Sequence, residues 1–199
     1  MTDATELRRA VIVVALLNLA YFGVEFTVAI STGSVSLFAD SADFLEDASI
    51  NLLIAVAVGW SIRARARLGM LLGAILLAPG LATLWTAWVK FGNPIPVQPF
   101  ALSVTGLGAL ATNLFCALLL VRVRHHRGSL TKAAFLSARN DAFANIAIIA
   151  TGAVTALLWR SGWPDLIVGL GIAAVNAGAA REVWFAARAE QGARSPIND

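Results

Sequence analysis

Six apolar stretches, each near the roughly 20 residues that cross a bilayer as a helix, take up most of this 199-residue chain. They run over about 10–30, 36–60, 68–89, 101–121, 133–159 and 164–185. Apolar residues make up 58% of the chain and charged ones 14%, with a mean hydropathy of +0.75. A soluble domain carries about 25% charged residues, so too little polar surface is present to cover a water-soluble globule. A cytosolic enzyme and a disordered chain are excluded. The net charge of +3 is a matter of membrane topology and not a nucleic-acid footprint. The fold expected is an all-α membrane protein, one transmembrane domain over 1–199 with no soluble domain.

The orientation is read from Lys and Arg. Arg8, Arg9, Arg63, Arg65, Arg67, Arg122, Arg124, Arg127, Lys132, Arg181, Arg188 and Arg194 fall on one side of the six spans. Lys90 and Arg160 fall on the other, and Arg139 sits within a span. That asymmetry predicts both termini in the cytoplasm, and the six Trp residues near span ends suit an aromatic belt. The first apolar stretch is too long for a signal peptide and is expected to be the first span. Span three, with Pro79-Gly80 at its centre, is expected to be kinked and peripheral. Gly169, Ala173 and Ala177 form a small-residue stripe on span six, suited to close packing within the bundle or between subunits. Cys116 stands alone, so no intrachain disulfide forms.

An internal repeat narrows the search for a site. Asp47-Ala48-Ser49-Ile50-Asn51 in span two and Asp141-Ala142-Phe143-Ala144-Asn145 in span five both read D-A-x-x-N. Asn18-Leu19 precedes Asp47 by 29 residues, and Asn113-Leu114 precedes Asp141 by 28. Two copies of a three-span unit must have opposite topology, because three crossings is an odd number. Inverted repeats of this kind place a substrate site near the midplane, at the repeat interface.

Span two also carries Asp40, Asp43, Glu46 and Asp47 within eight residues. Each carboxylate at mid-bilayer is disfavoured by several kcal/mol, so the group needs compensation. Asp43 and Asp47 stack on one helix face, with Asp40 one turn outward. Arg139 alone cannot neutralise them together with Glu25 and Asp141. A bound cation, or protons exchanging with it, meets the need. In the repeat Asp141 matches Asp47 and Ser137 matches Asp43. Asp43, Asp47, Asp141 and, more weakly, Ser137 are therefore the candidate metal ligands. Asp40, Glu25, Asn18, Asn113, Asn140 and Asn145 are candidates for a surrounding shell or a proton path. Glu46, off the ligand face, is expected to pair with Arg139. Oxygen ligands suit hard or borderline divalent ions, and His125 and His126 lie in a basic loop away from the spans.

Gly33-Ser34-Val35-Ser36-Leu37-Phe38-Ala39-Asp40-Ser41-Ala42-Asp43-Phe44-Leu45-Glu46-Asp47 resembles the second-helix signature of the cation diffusion facilitators. There a G-S-x-(A/S)-L-x-A-D stretch leads into a ligand pair, (His or Asp)-x-x-x-Asp. Asp43 and Asp47 fall on those ligand positions, and Asp141 falls on the Asp of the family's fifth-helix His-x-x-x-Asp. Ser137 stands where the His is expected. The resemblance implies a homodimeric, multi-pass exporter of a divalent metal (zinc, manganese, iron, cobalt or cadmium) in exchange for protons. It is expected in a cell membrane of the bacterial inner-membrane type, with no permanent cofactor and no enzymatic activity. Most members add a cytoplasmic metal-binding domain after the sixth helix, and this chain is expected to be a short form without it. Two alternatives remain at this point, a degenerate homologue that binds metal without moving it and a metal-dependent membrane transferase.

The Ser137 departure generates a prediction. Ser137→His supplies a nitrogen ligand one turn before Asp141, and zinc accepts imidazole at about 2.0–2.1 Å. The variant is expected to gain affinity for zinc, cobalt or cadmium relative to manganese, while the all-oxygen wild type shows a flatter preference. Zinc and manganese affinities measured side by side decide it; an unchanged ratio means that Ser137 does not face the ion.

Overall fold

The computed structural model describes residues 2–56, 61–123 and 128–177, and of these the side chains of 2–4, 62–63, 65–66, 69, 73, 76, 123 and 128–139 lie outside the description. Six helices follow in order: α1 (Thr2–Thr32), α2 (Val35–Val56), α3 (Ile62–Gly92), α4 (Pro99–Val123), α5 (Gly128–Leu157) and α6 (Trp163–Ala177). Among the described residues there is no strand. The protein is an all-α membrane protein. α1, α3, α4 and α5 are long and apolar enough to cross a bilayer on composition alone. α2 falls short of that measure because of its acids, and it crosses within the bundle instead, with 13 of its residues buried. The helices overrun several of the apolar stretches, since backbone hydrogen bonding continues into the headgroup region where hydropathy has already fallen. α5 stops at Leu157, two residues before the apolar stretch ends.

The helix ends follow from local chemistry. Gly33, at φ +64°, adopts the left-handed conformation that closes α1, and its N–H and that of Ser34 both donate to the Ala29 carbonyl. Ser34 then caps α2, its hydroxyl accepting from Leu37 N–H at 3.1 Å. Ser61 caps α3 by accepting from Ala64 N–H. α3 runs as one helix through Pro79, and the Thr83 hydroxyl donates to the Pro79 carbonyl at 2.8 Å. Pro99 and Pro164 sit in the first turns of α4 and α6, where a missing N–H costs no helical bond.

α1 packs on α2, α4 packs on α5, and α1 and α4 join the two pairs. α2 and α5 meet only lightly. α3 leans on α2 and leaves Leu71, Leu77, Leu81, Trp85 and Trp88 exposed, as a peripheral lipid-facing helix does. The links α1–α2, α3–α4 and α5–α6 gather at one end of the bundle: Lys90 reaches Gly33, and Gly162 N–H donates to the Pro94 carbonyl. This end carries Lys90 and Arg160 and is called the outer end below. The apolar core beneath it draws Ala29, Leu37, Val97, Leu102, Ile148 and Ile172 from five helices and one link.

The small-residue stripe of α6 works inside the bundle at its first two positions. Gly169 is buried against the start of α2, where a Cβ would lie 2.6 Å from Ser36 N and 2.6 Å from the Val35 carbonyl carbon. Ala173 packs on the core, whereas Ala177 is exposed. Backbone atoms cannot yield as a flexible side chain can, so Gly169→Ala is expected to destabilise the fold by about 1–3 kcal/mol. Gly23→Ala, in α1 with nothing within 4 Å of the added carbon, serves as the control. Thermal unfolding in detergent compares them, and equal midpoints would contradict the close approach of α6 to α2.

Candidate metal centre

What holds α2 in place lies one to two turns above its acids. Asp165, in the first turn of α6, accepts from the Ser34 hydroxyl (2.7 Å), the Ser36 hydroxyl (2.7 Å), Ser36 N–H (3.2 Å) and Val35 N–H (2.8 Å). Lys90, at the end of α3, donates to the same carboxylate at 2.8 Å and to the Gly33 carbonyl at 2.8 Å. Both charged side chains are buried, at 8% and 1% exposure. The open N–H groups of a helix start and its positive dipole end favour an anion, and the Lys neutralises the remainder. The G-S-V-S stretch of the sequence therefore ends one helix, starts the next and presents donors to α6.

Below this anchor the α2 acids separate by environment. Asp40 is fully buried, Asp43 and Asp47 are half-buried one turn apart, and Glu46 is exposed. From α5, Asp141 lies within electrostatic range of Asp43, Asp47 and Asp40. From α6, Asn176 lines the same cavity as Asp43. This cavity of about 540 Å³ opens between α2, α5 and α6, with Asp43, Asn140, Asp141 and Asn176 as its polar lining and Val168 and Ile172 among its apolar wall. Asp47 stands beside this cavity and not in its lining. In this conformation no three Asp, Glu, His or Cys side chains converge to ligating distance among the described residues. The arrangement offers a mostly apolar cavity whose polar groups are two carboxylates and two amides, with Asp47 outside its lining.

The remaining candidates divide. Asn140 joins the cavity, but Asn18, Asn113 and Asn145 do not. Asn18 is buried where α1 meets α4, with Cys116 Sγ 3.9 Å from its Oδ1, and Asn113 is buried one turn before Cys116. Asn145 donates to the Asp141 carbonyl at 2.8 Å, just as Asn51 donates to the Asp47 carbonyl at 2.8 Å. The Asn of each D-A-x-x-N motif thus holds its own helix turn, with the same bond at the same distance in both halves. Glu25 and Asp40 lie within hydrogen-bonding reach of one another across α1 and α2. None of their four oxygens meets a donor. Carboxylate oxygens only accept, so a bond between the two exists only with a proton held between them. The side chains of Ser137 and Arg139, and with them the expected Glu46–Arg139 pair, lie outside the described residues.

Two residues that the sequence reading passed over belong to this region. Asn176 is the one amide in α6 and follows the apolar run 166–175, and an isolated amide in a membrane span is a signal of buried polar contact. Asp165 follows Pro164 at a helix start, the usual place for an acid that meets free N–H groups. The signal was local, but its partner, the α1–α2 turn, is about 130 residues away.

Compared with known proteins, residues 11–188 match the family described as the cation efflux transmembrane domain. Among curated proteins none matches the chain.

Proposed function

The chain belongs to the cation efflux family, the cation diffusion facilitators, and from that premise we propose that it exchanges a divalent metal ion for protons through the cavity between α2, α5 and α6. Cation transport across a membrane follows from the family itself. The observation that carries the finer reading is the meeting of Asp43, Asp141 and Asn176 on one cavity, three oxygen-bearing side chains from three helices. Asp43 and Asp141 ligate the ion, Asp47 joins them as α5 closes on α2, and Asn176 or Asn140 adds an amide oxygen. The light contact between α2 and α5 leaves room for that closure. Such an all-oxygen set suits a hard or borderline divalent ion. The ion is cargo, and no resident cofactor is required. A homodimer in a cell membrane, exporting the ion, completes the reading.

The exchange follows from the ligands. A carboxylate has to lose its proton before it binds a cation, so metal and protons compete for the same oxygens. Metal loads where protons are scarce and is displaced where they are abundant. Inverted repeats provide the two access states, as one half rocks against the other about a midplane site.

Two measurements test this in proteoliposomes. Asp47→Ala and Asp141→Ala each remove one of three carboxylates and are expected to reduce uptake of Zn²⁺ and Mn²⁺ by about tenfold or more, by analogy with loss of a ligating partner. Both should still insert, because a charge disfavoured in the bilayer is gone. Wild-type rates in either variant would refute the site. For pH the sign is fixed by the competition: protonated carboxylates bind no metal, so affinity rises as pH rises through the titration of the cluster and is lost as pH falls. Uptake is expected to be weak at acid pH on the loading side and accelerated by a proton gradient opposing the metal flux. Uptake indifferent to pH and to a protonophore would remove the exchange mechanism.

A further inference from the structure

The clamp at the outer end does more than close a helix. α2 and α6 both start there and run inward side by side, and three contacts join them along that path. Asp165 grips residues 34–36, Gly169 presses on Val35 and Ser36, and Asn176 meets Asp43 at the wall of one cavity. The first two leave no freedom to slide. The carboxylate of Asp165 uses both oxygens on five donors, and Gly169 has no side chain to spare. From Asp165 to Asn176 is three helical turns, so a slip of one residue in the upper contact would turn Asn176 away from Asp43.

We infer that Asp165 is a positioning residue of the transport cycle: by gripping the start of α2 it fixes the register of α6, and so places Asn176 opposite Asp43 in the cavity. Lys90 neutralises the grip and brings α3 into the same unit, so the outer ends of α2, α3 and α6 move as one body. Movement is then left to the lightly packed seam between α2 and α5. The inference rests on the transport reading above for its consequence, but not for its geometry.

Asp165→Asn keeps the shape and removes the anion. Its amide group turns a donor toward Val35 N–H, Ser36 N–H or Lys90, where acceptors are needed. Asp165→Glu retains the anion, and Ser36→Ala, which removes a single donor, is the mild variant should Asp165→Asn fail to fold. The register is read by electron paramagnetic resonance between spin labels at Ile50→Cys and Leu170→Cys in a Cys116→Ala background. Both label positions are exposed, at 46% and 42%. Transport is read in proteoliposomes with Zn²⁺ and Mn²⁺, each alone. The expected result is a shifted or broadened distance in Asp165→Asn and a KM raised about tenfold, the size seen when a ligand's supporting partner is lost. Partial recovery of both is expected in Asp165→Glu. Exchanging the charges, Lys90→Asp with Asp165→Lys, should restore neither, because an ammonium cannot accept from the α2 N–H groups. Full recovery in the exchanged pair would reduce the contact to an ordinary ion pair and overturn the inference. So would a folded Asp165→Asn or Ser36→Ala protein with unchanged distance and KM. If the wild type moves neither ion, the transport reading fails, and the distance measurement alone decides the register: a shift upholds it and no shift overturns it.

Discussion

A single buried carboxylate, Asp165, carries the organisation of the outer end of this bundle. Removing a charge from water is unfavourable by several kcal/mol unless its oxygens are fully bonded and its charge is met. Here both conditions hold, through five donors from the α1–α2 turn and α3. Because the donors belong to separate parts of the chain, the carboxylate is satisfied only when α2, α3 and α6 come together. Removing any one partner leaves an unmatched charge or orphaned N–H groups in a place without water. The contact therefore selects one arrangement of three helices, over and above any energy it adds.

The membrane explains the rest of the packing. Large apolar side chains point outward, Trp88 and Leu158 at 79% and 82% exposure, while Asn18, Glu25, Asp40 and Asn145 are turned inward and almost wholly buried. That inversion of the soluble pattern is what a hydrocarbon solvent demands, since an amide or carboxyl facing lipid has no partner. α2 is the clearest case. Its acids would expel it from the bilayer as an isolated helix, and it is held in the bundle by α1 and α3, with α6 against its start.

The repeat is preserved unevenly. Asn51 and Asn145 bond back to the carbonyls of Asp47 and Asp141 at the same distance. α1 packs on α2 as α4 packs on α5. The acids, however, are concentrated on α2, with Asp141 as the one carboxylate of α5. The frame is pseudo-symmetric, and its charge load is not.

Six helices and the membrane as solvent were legible in the sequence, as was the rarity of Asp43, Asp47 and Asp141 as acids in apolar spans, because hydropathy, charge rarity and helical spacing are local properties. The same spacing that stacks Asp43 over Asp47 could not say that Asp43 would share a cavity with Asp141 while Asp47 stood beside it. Nor could it assign Asn18 and Asn113 to the neighbourhood of α1 and α4, away from the cavity. Asn176 and Asp165 gave only weak local signals, an amide in an apolar run and an acid after a proline. Their roles depend on which residues from α2 and α3 face them, and that is settled by tertiary packing. A sequence displays the groups that must be satisfied in a bilayer, but which partner satisfies each depends on how helices far apart in the chain come to lie side by side.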